Sequence, residues 1–192
     1  MSFYYKLLNR EIQEDGTQVA YYRPTENPQG AWNDKEQHMA PATGVICAEL
    51  EYFRPEDNMR YARISLDILG MIHLSDFKIT TRSIRPGRTI ELIESILESE
   101  GRTCSIARAW RLITENTSAI AGLEDKRISS YEKLPKWEGM SIWGGGYIKS
   151  VSKDIRIGER RPGKGQVWLT NDLDMVEGKP TSSFVKLMGM VD

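Results

Sequence analysis

The sequence predicts an α+β fold in which an antiparallel sheet wraps around one central helix. The helix is predicted over residues 41–53, where apolar side chains occupy more than one side of the helical surface, as is typical of a buried helix. The sheet is predicted over residues 61–114, where strand-like segments are separated by turns at 85–88 and 100–101. One buried helix followed by a meander of strands is the basis of this fold class.

A hairpin is predicted ahead of the helix. Residues 3–8 and 17–23 are rich in aromatic and β-branched side chains, and the turn 14–16 between them reads Glu-Asp-Gly. A turn-rich span over residues 24–34 then leads to the helix.

The strands after the helix are predicted mainly from alternation. Apolar and polar residues alternate over 62–68, and this period of two indicates a half-buried strand. Residues 77–83 and 104–112 follow the same pattern. In residues 90–97 the apolar side chains recur at helical spacing instead. We predict a strand there too, because the flanking turns place the segment between two strands and tertiary pairing overrides local propensity.

The sequence pattern in the last part of the chain predicts a partial structural repeat of the first part. Residues 147–157 and 166–170 are expected to be strands, and a helix is expected to begin at Phe184, capped by one of the hydroxyl residues Thr181, Ser182 and Ser183. Hairpin, loop and apolar helix is also the order in which the chain begins.

These patterns predict a division of the chain into three parts. Residues 1–115 form a first unit and residues 116–138, which are charged or small and contain Pro135, form a linker. Residues 139–192 form the start of a second, incomplete unit with two strands and a helix.

Composition excludes several classes of protein. The net charge is −1, from 26 basic and 27 acidic residues, so no overall field favours nucleic acid or an anionic membrane. Two cysteines are too few for a disulfide framework. The first residues lack a signal-peptide pattern, and no apolar run reaches the roughly 20 residues that cross a bilayer. We therefore expect a cytoplasmic protein without a membrane span or a nucleic-acid partner.

An ordered series of short motifs resembles the first half of a double-hotdog acyl-CoA thioesterase of the bacterial thioesterase II type. The series comprises Gly30-Ala31-Trp32 through His38, residues 63–70, Arg85-Pro86-Gly87-Arg88, Glu94-Ser95 and Ala107-Arg108-Ala109-Trp110. Later residues, 165–169 and 180–183, resemble the beginning of the second half. The resemblance implies a hotdog fold, with a truncated second hotdog unit that lacks its later strands.

The resemblance also implies hydrolysis of a fatty acyl-CoA thioester, with coenzyme A as part of the substrate and no other cofactor. In the related enzymes an aspartate on the second helix positions the attacking water together with a hydroxyl residue and a glutamine. Asp192 matches the aspartate and is the candidate general base. Because the other two positions have no counterpart here, little or no activity is expected of the 192-residue chain alone.

Four residues are candidates for binding the substrate. His38 precedes the helix and is placed to line an acyl-CoA cleft, and Trp32 is placed to border it. Arg85 and Arg88 carry guanidinium groups, which suit the phosphates of coenzyme A. A local structural role for the histidine, packing for the tryptophan and simple solvation for the arginines remain the alternatives.

Other motifs predict no chemistry. Residues 158–164 read G-x-x-x-x-G-K, but Gly165 replaces the hydroxyl residue of a phosphate loop and a strand follows. The glycines at 144–146 suggest a flexible entry to the next strand. His38 and His73 lack metal-ligand spacing, so no metal is expected.

Two functional classes therefore remain open. One is an acyl-CoA hydrolase, and the other is a non-catalytic hotdog protein that binds acyl groups or a partner chain. A hydratase is a weaker third option. As partners we expect acyl-CoA and either further copies of the chain, in a homo-oligomer, or a complementing fragment.

Overall fold

The computed structural model describes residues 2–56, 58–124 and 130–191. The elements in this part of the chain are β1 (Phe3–Ile12), β2 (Gln18–Pro24), α1 (Met39–Tyr52), β3 (Met59–Ile68), β4 (Phe77–Arg85), β5 (Ile90–Ser99), β6 (Arg102–Ile113), α2 (Gly146–Val151), β7 (Arg156–Arg161), β8 (Lys164–Trp168), β9 (Asp174–Val176) and α3 (Ser183–Met188). Short 3-10 turns occur at Ser118–Ile120 and Tyr131–Lys133.

One large sheet dominates the fold. Within the described residues it has seven strands in the order β3-β6-β5-β4-β2-β1-β9, and β7 and β8 form a separate hairpin. All pairs are antiparallel except β1 with β9, which run parallel. The predicted hairpin ahead of the helix and the predicted meander after it are both confirmed, and so is the α+β class.

Helix α1 is enclosed by the sheet and by α3. Its side chains are buried around most of its circumference, and six apolar residues are completely inaccessible: Ala40, Ala42, Val45, Ile46, Cys47 and Leu50. Burial on several sides is what the sequence pattern predicted. The helix ends at Tyr52, and Phe53 is its C-cap; Arg54 with φ of 45° and Pro55 follow, and neither continues a helix easily.

Strand β5 shows why a helical sequence pattern folds as a strand. Ile93 and Leu97 face the core and are fully buried. Glu94 lies on the opposite face between two arginines, Arg82 on β4 at 2.8 Å and Arg108 on β6 at 3.3 Å. The glutamates that favour a helix locally are thus used as cross-strand partners, and the prediction of a strand is confirmed.

The two cysteines, Cys47 and Cys104, are free thiols buried in the core. Burial, with a smaller contribution from the charge of Glu51, raises the pKa of Cys47 to about 12. We predict that neither thiol of the native protein reacts with 5,5′-dithiobis(2-nitrobenzoic acid) at pH 8, because both side chains are buried and the raised pKa keeps Cys47 as the unreactive thiol; both should react after unfolding in guanidinium chloride. Rapid reaction of the native protein would contradict the buried placement.

The structure corrects one predicted element in the last part of the chain. Residues 147–157 were expected to be a strand, but residues 146–151 form helix α2 and strand β7 begins only at Arg156. The buried side chains Tyr147, Ile148 and Val151 recur at helical spacing, and together they close over the loop ahead of α1. The helix expected from Phe184 is confirmed as α3, and its cap is Ser182, whose hydroxyl accepts from Val185 at 3.1 Å.

Strand β9 and helix α3 attach this last part to the first sheet. β9 extends the sheet beyond β1, with Phe3 aligned on Asp174 and Tyr5 on Val176. α3 packs on α1, where a Cβ on Gly44 would lie 2.9 Å from the Cα of Gly189. The predicted division into residues 1–115, 116–138 and 139–192 stays a prediction.

Candidate functional site

The amino end of α1 is held by the loop that precedes it. His38 is the N-cap residue, and its Nδ1 accepts a hydrogen bond from the Ala40 N–H at 3.3 Å. The His38 N–H donates to the Pro28 carbonyl at 2.7 Å. The N–H groups at a helix start carry partial positive charge, so this end of α1 is suited to stabilise a carbonyl oxygen or an oxyanion.

A segment from the last part of the chain forms the other wall of this site. The ring of Tyr147 stacks on the imidazole of His38, with 4.1 Å between the ring centroids. Trp143 makes an edge contact with Trp32 at 5.1 Å, and Trp32 is 79% exposed. Two pairs of rings therefore line the approach to the helix start.

Two glycines allow the segment to approach the loop this closely. Gly145 has φ of 95°, and a Cβ there would overlap the Gly30 carbonyl oxygen. A Cβ on Gly146 would overlap the Glu26 carbonyl oxygen and lie 2.8 Å from its carbonyl carbon. The glycines at 144–146 were predicted to form a flexible entry to a strand. Instead, Gly145 and Gly146 let two backbone segments approach closely, and helix α2 follows them.

Helix α2 is anchored beneath this contact by polar groups. The Tyr147 N–H donates to the Gln29 carbonyl at 3.1 Å, and the Ser150 hydroxyl lies 2.5 Å from the Tyr4 hydroxyl. Asn171 donates to the same tyrosine oxygen at 2.7 Å. Burial raises the pKa of Tyr4, so its hydroxyl stays neutral and can both donate and accept.

The structure brings two of the predicted site residues together, His38 and Trp32. It adds Trp143 and Tyr147, which the sequence analysis did not select. The available signal was a tryptophan next to three consecutive glycines, which marks a close backbone contact as readily as flexibility. Asp192, the predicted general base, lies outside the described residues, and its role stays a prediction.

Arg85 and Arg88 are not brought to this site. They lie at the β4–β5 turn, where Arg85 donates to the Ile90 carbonyl at 3.1 Å and Arg88 is exposed. At the same end of the sheet, Arg111 donates to the Arg54 carbonyl at 2.7 Å, just beyond the carboxyl end of α1. The turn is thus at the opposite end of the helix from His38. The role of both arginines in binding phosphate stays a prediction.

A second polar group of residues lies deep in the core, around Glu49 on α1. This carboxylate is 1% exposed and accepts hydrogen bonds from Arg10, from the Tyr22 hydroxyl and, at 2.7 Å, from Gln18. Burial, followed by the nearby charge of Glu49, raises the pKa of Tyr22, so the phenol remains a donor. The sequence analysis missed this cluster, because Glu49 lies within an otherwise apolar helix and its partners lie on distant strands.

The described residues contain neither a metal-binding cluster nor a membrane-spanning helix. Among the residues that the structure describes, no group of histidine, cysteine, aspartate and glutamate side chains is arranged to hold a metal ion. No helix in the same residues is long and apolar enough to cross a membrane. The start of α1 presents N–H groups, an imidazole and aromatic rings.

One family model matches part of the chain. Residues 28–112 match the family described as "Acyl-CoA thioesterase N-terminal domain". The match begins at Pro28, the residue whose carbonyl binds the His38 N–H, and it extends into β6. No curated protein matches the chain.

A solved structure shows the same fold, and two further structures have lower similarity scores. A protein of unknown function with a hot dog fold from Alicyclobacillus acidocaldarius is 8% identical, with a TM-score of 0.67; the similarity covers 95% of this chain and 65% of that protein. A Bacillus halodurans protein crystallised with CoA is 9% identical, with a TM-score of 0.47 over 57% of this chain and 75% of that one. A Streptococcus mutans protein bound to acetyl CoA is 13% identical, with a TM-score of 0.45 over 57% and 88%.

At these identities the structural likeness establishes the fold, and the family match covers the loop, the central helix and the meander. The chain has the hotdog fold, and residues 28–112 are similar to the family described as an acyl-CoA thioesterase N-terminal domain.

Proposed function

We propose that the protein hydrolyses the thioester of a fatty acyl-CoA to the free acid and CoA. The observation that carries the proposal is the family match over residues 28–112, which includes the whole amino end of α1 and the loop that holds it. The aromatic walls at this end offer apolar surface for a substrate, and the helix start offers N–H groups for its carbonyl.

In the proposed reaction the acyl carbonyl oxygen points at the start of α1. Water attacks the carbonyl carbon, and the helix N–H groups stabilise the resulting oxyanion. The tetrahedral intermediate then collapses, the C–S bond breaks and CoA leaves as the thiol after taking up a proton. Asp192 is the proposed group that accepts the proton from water. His38 is the proposed positioning residue, since it fixes the first turn of α1 and one wall of the site.

Binding and turnover should be measured on the same preparation. Binding is followed by calorimetry with a thioether analogue of acyl-CoA, which cannot be hydrolysed, and turnover is followed by CoA release across a panel of acyl chain lengths. We expect saturable binding of the analogue; release of CoA would support the hydrolase and would contradict the little or no activity that the sequence motifs alone predict. Binding without any release would favour the non-catalytic acyl-binding protein over the hydrolase. Absence of both would contradict the proposed function.

Replacing His38 tests the site without relying on activity alone. His38→Ala removes the cap and is expected to lower the free energy of unfolding by about 1 kcal/mol. His38→Asn keeps a capping acceptor and should retain that stability, but it loses the ring that stacks on Tyr147. We expect both variants to bind the thioether analogue roughly three- to tenfold more weakly.

Urea denaturation and calorimetry check the two effects separately. If His38→Asn is as stable as the parent protein and binds the analogue equally well, His38 has only a structural role and the proposed site is wrong.

A further inference from the structure

Trp32 and Trp143 form an exposed pair of indole rings beside the proposed site. Trp32 is 79% exposed and Trp143 is 45% exposed, although the rings are 5.1 Å apart. The close backbone contact of Gly145 with Gly30 lies two residues from each ring and brings the two rings together. An exposed aromatic surface of this kind suits stacking by a flat heteroaromatic ring.

A cleft with two lysines follows directly along the same backbone contact. Its volume is about 280 Å³, and its lining includes Gly146, Lys149, Lys153 and Glu26. Within the part of the chain that the structure describes, neither lysine makes an ion pair. Two ammonium groups and one carboxylate leave the lining with a net positive charge, which favours an anionic ligand.

The aromatic pair and the cleft are close enough to serve one ligand. Trp143 is three residues before Gly146, which lines the cleft, and three extended residues span at most roughly 11 Å. The seam is formed by residues 26–33 on one side and 143–153 on the other, and the start of α1 lies next to it.

We infer that this seam binds the adenosine diphosphate part of coenzyme A, with the adenine on Trp32 and Trp143 and the phosphates near Lys149 and Lys153. The inference rests on the proposed function, because it assumes that the ligand of the neighbouring site is an acyl-CoA. This inference explains why the indole ring of Trp32 is exposed to solvent next to the backbone contact of Gly145 with Gly30. It also gives the seam a role distinct from that of His38, which faces the thioester end.

The first experiment compares ligands that share parts of coenzyme A. Affinities for CoA, adenosine 3′,5′-bisphosphate and pantetheine are measured by calorimetry. We expect the bisphosphate to compete with CoA and pantetheine to bind roughly tenfold more weakly than CoA. Equal affinities for pantetheine and CoA would overturn the inference while leaving the proposed function intact.

The second experiment uses variants of the seam. Trp32→Ala is expected to weaken CoA binding roughly tenfold and Trp32→Phe to restore most of it, with a smaller loss for pantetheine than for CoA in Trp32→Ala. Lys149→Gln combined with Lys153→Gln should weaken CoA binding and reduce its salt dependence, whereas Glu26→Gln should strengthen it. Trp168→Phe is the matched control, since Trp168 packs on Tyr131 away from the seam.

The outcomes separate the two proposals. Loss of CoA binding in the seam variants, with the control unaffected, supports the inference. If the acyl-CoA analogue binds the parent protein and the seam variants equally, the seam is not a nucleotide site, although the thioesterase proposal stands. If the parent protein binds neither CoA nor the analogue, the proposed function itself fails.

Discussion

Replacing Glu49 with leucine is expected to lower the free energy of unfolding by about 3–5 kcal/mol. The substitution leaves the Arg10 guanidinium, whose side chain is only 12% exposed, without its carboxylate partner. It also removes the acceptor of the Tyr22 hydroxyl and of the Gln18 amide. Unpartnered buried charge and unpaired donors are both costly, so the losses act in the same direction. Urea denaturation followed by circular dichroism measures the change.

Two further variants test this explanation. Arg10→Met combined with Glu49→Leu removes both charges and should recover most of the lost stability, because buried ion pairs replaced by apolar residues are often neutral. Glu98→Gln breaks a cross-strand pair with Lys78 that is partly exposed, and it should cost less than about 1 kcal/mol. If the double variant is less stable than Glu49→Leu alone, the uncompensated charge is not the cause.

Replacing Gly146 with alanine is expected to destabilise the protein by about 3 kcal/mol, the upper end of the range for overpacking. Helix propensity alone predicts the opposite sign, because Gly146 is the first residue of α2 and alanine is the better helix former. We expect the steric effect to exceed the effect of helix propensity, because the new Cβ would overlap the Glu26 carbonyl and the backbone would have to move. The sign of the measured change therefore separates the two effects.

Gly144→Ala provides the matched control for this prediction. A Cβ on Gly144 meets no atom within 4 Å, and the change in stability should be within about 0.5 kcal/mol. The fluorescence of Trp143 should shift in Gly146→Ala, where the segment loses its contact with the loop, and not in Gly144→Ala. Equal stability of the two variants would mean that the backbone contact does not stabilise the fold.

Much of the first sheet could be predicted because its signals are local. Alternation over residues 62–68 and the turns around β5 define strands without knowledge of the rest of the chain. For β5 the turns outweighed a helical pattern, and the arginines on both neighbouring strands explain why the glutamates fit there. The burial of α1 followed equally from its own composition.

The elements that could not be predicted depend on partners distant in the sequence. Helix α2 is short, and its buried face is recognisable only when the loop around Gln29 is known to pack on it. Strand β9 has three residues and exists as a strand because β1 lies beside it. The role of Glu49 could not be predicted from the sequence. A carboxylate buried in an apolar helix is stable only when it is hydrogen-bonded, and its partners Arg10, Gln18 and Tyr22 lie on distant strands.

The same dependence limited the prediction of the site. Four residues were selected one at a time for their chemistry, but only the fold determines which of them meet. His38 and Trp32 meet because both belong to the loop and helix start, whereas Arg85 and Arg88 belong to a turn at the far end of α1. Their separation is a consequence of strand length: β5, with ten residues, spans roughly 33 Å.

The parallel pairing of β1 with β9 has a consequence for synthesis of the chain. Strand β1 is translated well before β9, because about 160 residues separate Ile12 from the three residues that cover the outer edge of β1. Until then the nascent sheet presents an unpaired row of N–H and C=O groups, which other chains can join. Pairing of strands that are far apart in the sequence is also slow. The time until Asp174–Val176 pairs with β1 therefore determines how long the nascent chain exposes an edge that favours aggregation.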